Sequence, residues 1–271
     1  MKKITAGVVL GALLLLPSVE LRAQDPRAAA RDVARQWQDA IVNVRVVLKT
    51  RMSMGGREMQ AADDSVDAVG TVIDGSGLTV MSLGALNPGA MMGKIVGAST
   101  GGGSSESRVE ISSEPTDLKI RLADGRELPA RIVLRDEDLD LAFIRPTTKP
   151  ATPLVAIKLA DSGAPVLLEQ VLVLSRLGRV GGWAPSAALA DISAVIQRPR
   201  TFYVLGGAPS SMGTPAFTAS GKLVGLLTLR QVDPGRSSMF SMMGGAEAMG
   251  LLPVILPAAD VLEIAKQADE K

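Results

Sequence analysis

Hydrolytic sites on proteins are most often built from a serine or cysteine nucleophile, a histidine base and a carboxylate that orients the base. This chain of 271 residues has no histidine and no cysteine. Those two zeros remove the imidazole base, thiol catalysis, disulfides and the usual zinc ligands. The residues left to do chemistry are a carboxylate run, Asp136-Glu-Asp-Leu-Asp140, and a Gly/Pro turn, Ala208-Pro-Ser-Ser-Met-Gly-Thr-Pro215. The turn offers the hydroxyls of Ser210 and Ser211. Next to them stands Met212, whose thioether has no proton to transfer and makes no useful nucleophile.

Three further chemistries can be weighed on residue types alone. A dyad of Ser211 with a lysine needs an amine beside the turn, but Lys222 lies past the following turn and Lys94 in a distant Gly/Ser/Met-rich stretch. Asp136, Asp138 and Asp140 resemble the first half of a calcium loop. The glycine and distal glutamate that complete an EF-hand loop are missing, because Leu141 enters a strand. Met91 and Met92 form one methionine cluster, and Met239, Met242 and Met243 fall in a second. Thioethers can hold copper(I), but such residues more often act as adaptable fillers or as a soft contact surface. They are carried forward as candidate binding loops, with no metal and no cofactor expected.

The elements that must position these residues are legible from pattern. Hydrophobic residues make up 46% of the chain and aromatics only 3%, so the core must be aliphatic. With 29 basic and 28 acidic residues, the chain lacks the charge of a general nucleic-acid or membrane-surface binder. A basic start, Met1-Lys-Lys3, an apolar run from Ala6 to Leu16 and small Ala23 have the layout of a secretory signal peptide over residues 1–23. The apolar run is too short for a good membrane span, so a periplasmic or secreted chain without a stable membrane anchor is expected.

Asp25-Pro26 opens a predicted helix to about Ala40, and Ile41 to Leu48 alternates as a strand. Arg51 to Asp67 is polar and reads as a loop. Hairpins are predicted at Ala68–Ser82, turned at Asp74-Gly-Ser-Gly77, and at Asp117–Leu134, turned at Asp124-Gly125. Asn87 to Pro115 reads as a flexible insertion. Leu141 to Arg145 is a strand, and Thr147 to Pro153 a linker. Short apolar segments come next at Pro165–Leu168, Gln170–Ser175, Trp183–Ala194 and Phe202–Leu205; Ala216–Thr228 reads as strand, Ser-Gly turn and strand, and Leu251–Leu256 as a last strand. A helix is expected from Asp260 to Ala268. Short strands at regular spacing with Gly/Pro turns predict a sandwich or barrel.

Three blocks in order, Val69–Ser82, Asp117–Arg145 and Ser210–Thr228, resemble the His, Asp and Ser regions of trypsin-like serine proteases of the HtrA/Deg kind. In that family the last block reads Gly-Asn-Ser-Gly-Gly-Pro, and the first hairpin ends in Thr-Asn-x-His-Val. The resemblance implies an all-β fold: a chymotrypsin-like double antiparallel β-barrel with short N- and C-terminal helices. It divides the chain into the first barrel with its helix over 24–146, a linker over 147–153 and the second barrel with its helix over 154–271. It also implies that Met212 stands at the nucleophile, Gly84 at the base and Asp140 at the orienting carboxylate. Ser210, Ser211 and Met212 would be the remnant of the oxyanion hole, with Ser210 and Thr214 replacing glycines of the motif. A chain so altered is expected to be a pseudoprotease that binds a protein or extended peptide, alone or as a partner of an active HtrA-like protease. A peptide-binding PDZ domain after the second barrel is not expected. The alternative is a peptidase with an unusual site.

Overall fold

In the computed structural model, residues 26–54, 57–89, 109–207, 211–231 and 251–269 are described. Helix α1 (Pro26–Trp37) ends in a short 3-10 turn at Gln38–Ala40. Six strands follow: β1 (Ile41–Met54), β2 (Arg57–Val72), β3 (Thr79–Ser82), β4 (Val109–Arg121), β5 (Glu127–Asp136) and β6 (Leu141–Pro146). They close antiparallel in the order β1-β2-β3-β6-β5-β4. A second closed barrel is formed by β7 (Gln170–Arg176), β8 (Pro185–Ile196), β9 (Phe202–Leu205), β10 (Pro215–Thr218), β11 (Leu223–Gln231) and β12 (Leu251–Pro257). Its order is β10-β11-β12-β9-β8-β7, and helix α2 (Ala258–Asp269) follows it. The double barrel expected from the sequence is therefore present.

The strands sort their side chains by the two-residue period of the pleat. In β6, Ala142 and Ile144 enter the interior of the first barrel, while Leu141 and Phe143 face the seam between barrels. In β7, Val171 and Val173 fill the second barrel, and Leu172 and Leu174 face the seam. Both faces are buried, which is why these segments read as unbroken apolar runs rather than as alternating ones. The seam also takes Val33 from α1 and Val261, Ile264 and Ala265 from α2, so the helices roof one apolar layer shared by both barrels. Phe143 and Phe217, both fully buried there, are each worth about 1.5–3 kcal/mol in apolar burial.

Three expectations about elements are corrected. Arg51–Asp67 is not a loop: β1 and β2 pair along their whole length, from Ile41↔Thr71 to Met54↔Arg57. The polar composition belongs to a ribbon outside the barrel, where Arg45 lies opposite Asp67 and Lys49 opposite Asp63. The insertion is shorter than Asn87–Pro115, because β4 starts at Val109 and pairs with β1 from Met54 inward. Pro165–Leu168 is a loop with Val166, Leu167 and Leu168 exposed; Leu168 has φ +65, which no strand residue adopts.

The ribbon is thus three strands wide, β2-β1-β4. β2 meets β3 only through Gly70–Val72, and β4 meets β5 only through Lys119–Arg121. Beyond those rungs both strands have an edge without a partner strand among the described residues. Two amides on these edges are taken by the preceding aspartate: Ser65 N–H by Asp64 Oδ1 at 2.7 Å, and Leu118 N–H by Asp117 Oδ1 at 3.0 Å.

Candidate functional site

The carboxylate of Asp140 is held where the two barrels meet. Asp136 Oδ1 accepts the Leu139 N–H at 3.0 Å and closes the turn between β5 and β6. The turn leaves Asp140 at φ +56, a left-handed conformation that Asp tolerates better than most residues. Its carboxylate then receives neutral donors from three places. Ser82 Oγ, at the end of β3, donates to Oδ2 at 2.6 Å. Gly84 N–H donates to Oδ1 at 2.7 Å, and Leu229 N–H of the second barrel donates to Oδ2 at 3.3 Å. Burial pushes the Asp140 carboxyl above its ordinary value, against the lowering effect of these hydrogen bonds. No ion pair joins it to another described residue.

Gly84 lies in the 3-10 turn Leu83–Leu86, directly after β3. A Cβ placed on it would stand 3.4 Å from Asp140 Oδ1 and 3.5 Å from Ser82 Oγ. A side chain at position 84 would therefore emerge over the Asp140 carboxylate. The spacing that assigned Gly84 to the base position from the turn glycine Gly77 thus puts it beside Asp140 in space. A half-buried carboxylate is there, and the position facing it carries no side chain.

The third element is the corner before β10. Met212 is half-buried and packs on the interior of the second barrel, against the cluster that includes Val173, Tyr203 and Leu227. Gly213 comes next at φ +78, the left-handed region that favours glycine. Its N–H donates to Leu227 O at 2.7 Å, and its carbonyl accepts the Thr71 hydroxyl of the first barrel at 2.8 Å. A Cβ there would come within 2.8 Å of Val69 O and 3.1 Å of Ser82 N, so nothing larger than glycine fits. Thr214, which replaces a glycine of the motif, is accommodated without a left-handed backbone. Its hydroxyl donates to Ser211 O at 2.9 Å, and its carbonyl accepts Leu227 N–H at 2.8 Å. The corner is a knot of hydrogen bonds between β10, β11 and the first barrel.

The other residues singled out from sequence separate. Asp138 uses its carbonyl, which accepts Arg230 Nη1 at 3.0 Å, while Asp136 caps the turn and Asp140 faces the seam. The carboxylates of Asp136 and Asp140 thus have different partners. Lys222 sits in the turn between β10 and β11, at the far end of β10 from Ser211. Ser210, Lys94, Met91, Met92, Met239, Met242 and Met243 lie outside the described residues, as do residues 1–25 with the signal-like segment. Among the described residues no helix is long and apolar enough to cross a membrane.

Sequence reading missed Arg176, the main polar tie between the barrels. At the end of β7 its guanidinium is buried and donates to three carbonyls: Ile41 O at 2.8 Å, Gln38 O at 2.8 Å and Trp183 O at 3.0 Å. Burial pushes its pKa down, and Asp39 acts in the opposite sense. Beside it Asn43 Nδ2 donates to Leu177 O at 3.2 Å. The only signal in the sequence was a charge at the end of an apolar strand, which is common at strand ends.

Residues 96–226 match the family model of the trypsin-like peptidase domain. The match spans Asp140 and Met212 and begins after Gly84, so the placing of Gly84 rests on its contact geometry with Asp140. No curated protein matches the chain. The matched segment is similar to the trypsin-like peptidase domain, and the two closed six-stranded barrels are consistent with the chymotrypsin-like double-barrel fold.

Proposed function

We propose that the chain is an exported pseudoprotease of the HtrA type, which holds a protein or an extended peptide rather than cutting it. The observation that carries this reading is the pairing of Asp140 with Gly84. The orienting carboxylate keeps its place and its hydrogen bonds, yet the residue over it is a glycine in a chain without a single histidine. Met212, seated on the second barrel's interior, agrees with it: an apolar group occupies the nucleophile position and adds to packing. The outer parts of β2 and β4 offer strand edges to an extended chain, and strand addition is the binding mode such edges support. In this reading residues 1–23 direct export, and the mature chain works in the periplasm or outside the cell.

A fluorophosphonate probe, which reports an activated serine whatever its base, tests the reading. The purified chain is expected to remain unlabelled. Labelling that disappears in Ser211→Ala would overturn it in favour of a peptidase with a non-standard site. The binding half is checked by panning extended peptides against the chain. Enriched sequences whose capture is lost in Met212→Glu support it, and the absence of any enrichment removes it. Recovery of an active protease with the chain from its native cell would instead make it a regulatory subunit.

A further inference from the structure

The two glycines of the site differ in a way that points to a ligand. Gly213 is closed on by the first barrel and admits no side chain. Gly84 has only Asp140 Oδ1 and Ser82 Oγ near its Cβ direction among the described residues, both at ordinary contact distance. The wall of the site at Gly84 is therefore backbone and two oxygen-bearing groups. One of these is an ionisable carboxylate whose hydrogen-bond partners, Ser82 Oγ, Gly84 N–H and Leu229 N–H, are all neutral. Oδ2 accepts two of those bonds and Oδ1 one, so Oδ1, the oxygen facing the Gly84 side, keeps acceptor capacity. The group is also held rigidly. Donors from both barrels fix its rotamer, and the left-handed backbone of Asp140 is set by the turn that Asp136 caps.

We infer that Asp140 Oδ1 and the space over Gly84 form a subsite for a cationic N–H group, the guanidinium, imidazolium or ammonium of a basic side chain on a bound peptide. The physical reason is complementarity at low cost. A half-buried carboxylate with only neutral partners gains a charge-assisted hydrogen bond when a cation reaches it. Its position is fixed in advance, so little ordering opposes binding. A side chain entering from a ligand occupies the place that the chain's own residue 84 leaves to backbone. The inference rests on the binding reading above and names the chemistry it selects: an extended segment with a Lys, Arg or His aimed at the seam.

The test uses the ¹⁵N-labelled chain and methylguanidinium chloride, with methylurea as the neutral isostere and sodium chloride at matched ionic strength as controls. The amide signals of Gly84 and Leu229, both donors to Asp140, are expected to move saturably with methylguanidinium, with a midpoint on the order of 10 mM. Methylurea and sodium chloride are expected to leave them in place. Asp140→Asn should abolish the response. Gly84→Leu, which keeps the carboxylate but fills the space, should weaken it at least about tenfold, and it keeps the test valid if Asp140→Asn does not fold. Equal shifts with methylurea, no saturable shift, or an undiminished response in Gly84→Leu would each overturn the subsite. Failure here leaves peptide capture by panning untouched, whereas fluorophosphonate labelling would end the pseudoprotease reading without altering the cation response.

Discussion

Gly84 and Gly213 stand in one site and answer the same substitution differently. Gly213→Ala forces a Cβ onto Val69 O at a φ of +78, combining backbone strain with overlap. A loss of about 2–4 kcal/mol is expected. Gly84→Ala meets only ordinary contacts, and its cost should stay below about 1 kcal/mol. Urea denaturation of the two variants side by side checks the contrast. Asp140 gives a second expectation, in pH. Its folded-state pKa is raised by burial, so between the ordinary carboxylate value and the raised one the folded chain binds more protons than the unfolded chain. Its contribution to stability is full below the ordinary value and is lost as pH climbs through the raised one. Asp140→Asn does not ionise, so its stability relative to the wild type should rise between about pH 4 and pH 7. An unchanged difference between denaturation midpoints at the two pH values would contradict this. At this scale one feature was legible from the residues, that Gly84 and Asp140 belong together. Absence of histidine needs no structure, and the step from Gly77 to Gly84 crosses only the short strand β3 and the first residue of the 3-10 turn. The tolerance of Thr214 was not legible, because it depends on the hydroxyl reaching Ser211 O.

Among the elements, β7 carries more than its apolar faces. Arg176 at its end reaches across to Gln38 and Ile41, the residues that lead from α1 into the first barrel. Arg176→Met keeps the volume but strips three carbonyls of a charged donor, two of them in the other barrel. A loss of about 2–4 kcal/mol is expected, and α1 should become more susceptible to limited proteolysis. A variant as stable and as resistant as the wild type would show that the apolar layer alone joins the barrels. The elements themselves were read unevenly from sequence. β6, β9 and β12 were found because burial leaves them largely apolar, and β3 because it follows the Asp74–Gly77 turn. The outer parts of β2 and β4 were missed for the opposite reason. Asp63, Asp64, Asp67, Glu114 and Pro115 are loop-like in composition, and they form strands because β1 runs between them with Arg45 and Lys49 on the facing rungs. Cross-strand pairing of this kind is invisible to a reading that moves along one segment at a time.

For the molecule as a whole, the same ribbon sets how it behaves toward copies of itself. Among the described residues it has two edges without a partner strand, and open edges are templates for adding strands. Asp64 and Asp117 take the Ser65 and Leu118 amides and put negative charge on those edges. The double variant Asp64→Ala, Asp117→Ala is expected to fold. At concentrations on the order of 100 μM it should lose monomer to particles that scatter light and bind thioflavin, which analytical ultracentrifugation would also detect. A variant that stays monomeric at that concentration would show that the aspartates are not guards. The ribbon is then more than an extension of a barrel. If the double variant behaves as expected, two carboxylates, each turned back on its own backbone, set how concentrated this protein can become before sheet growth turns a solution into filaments.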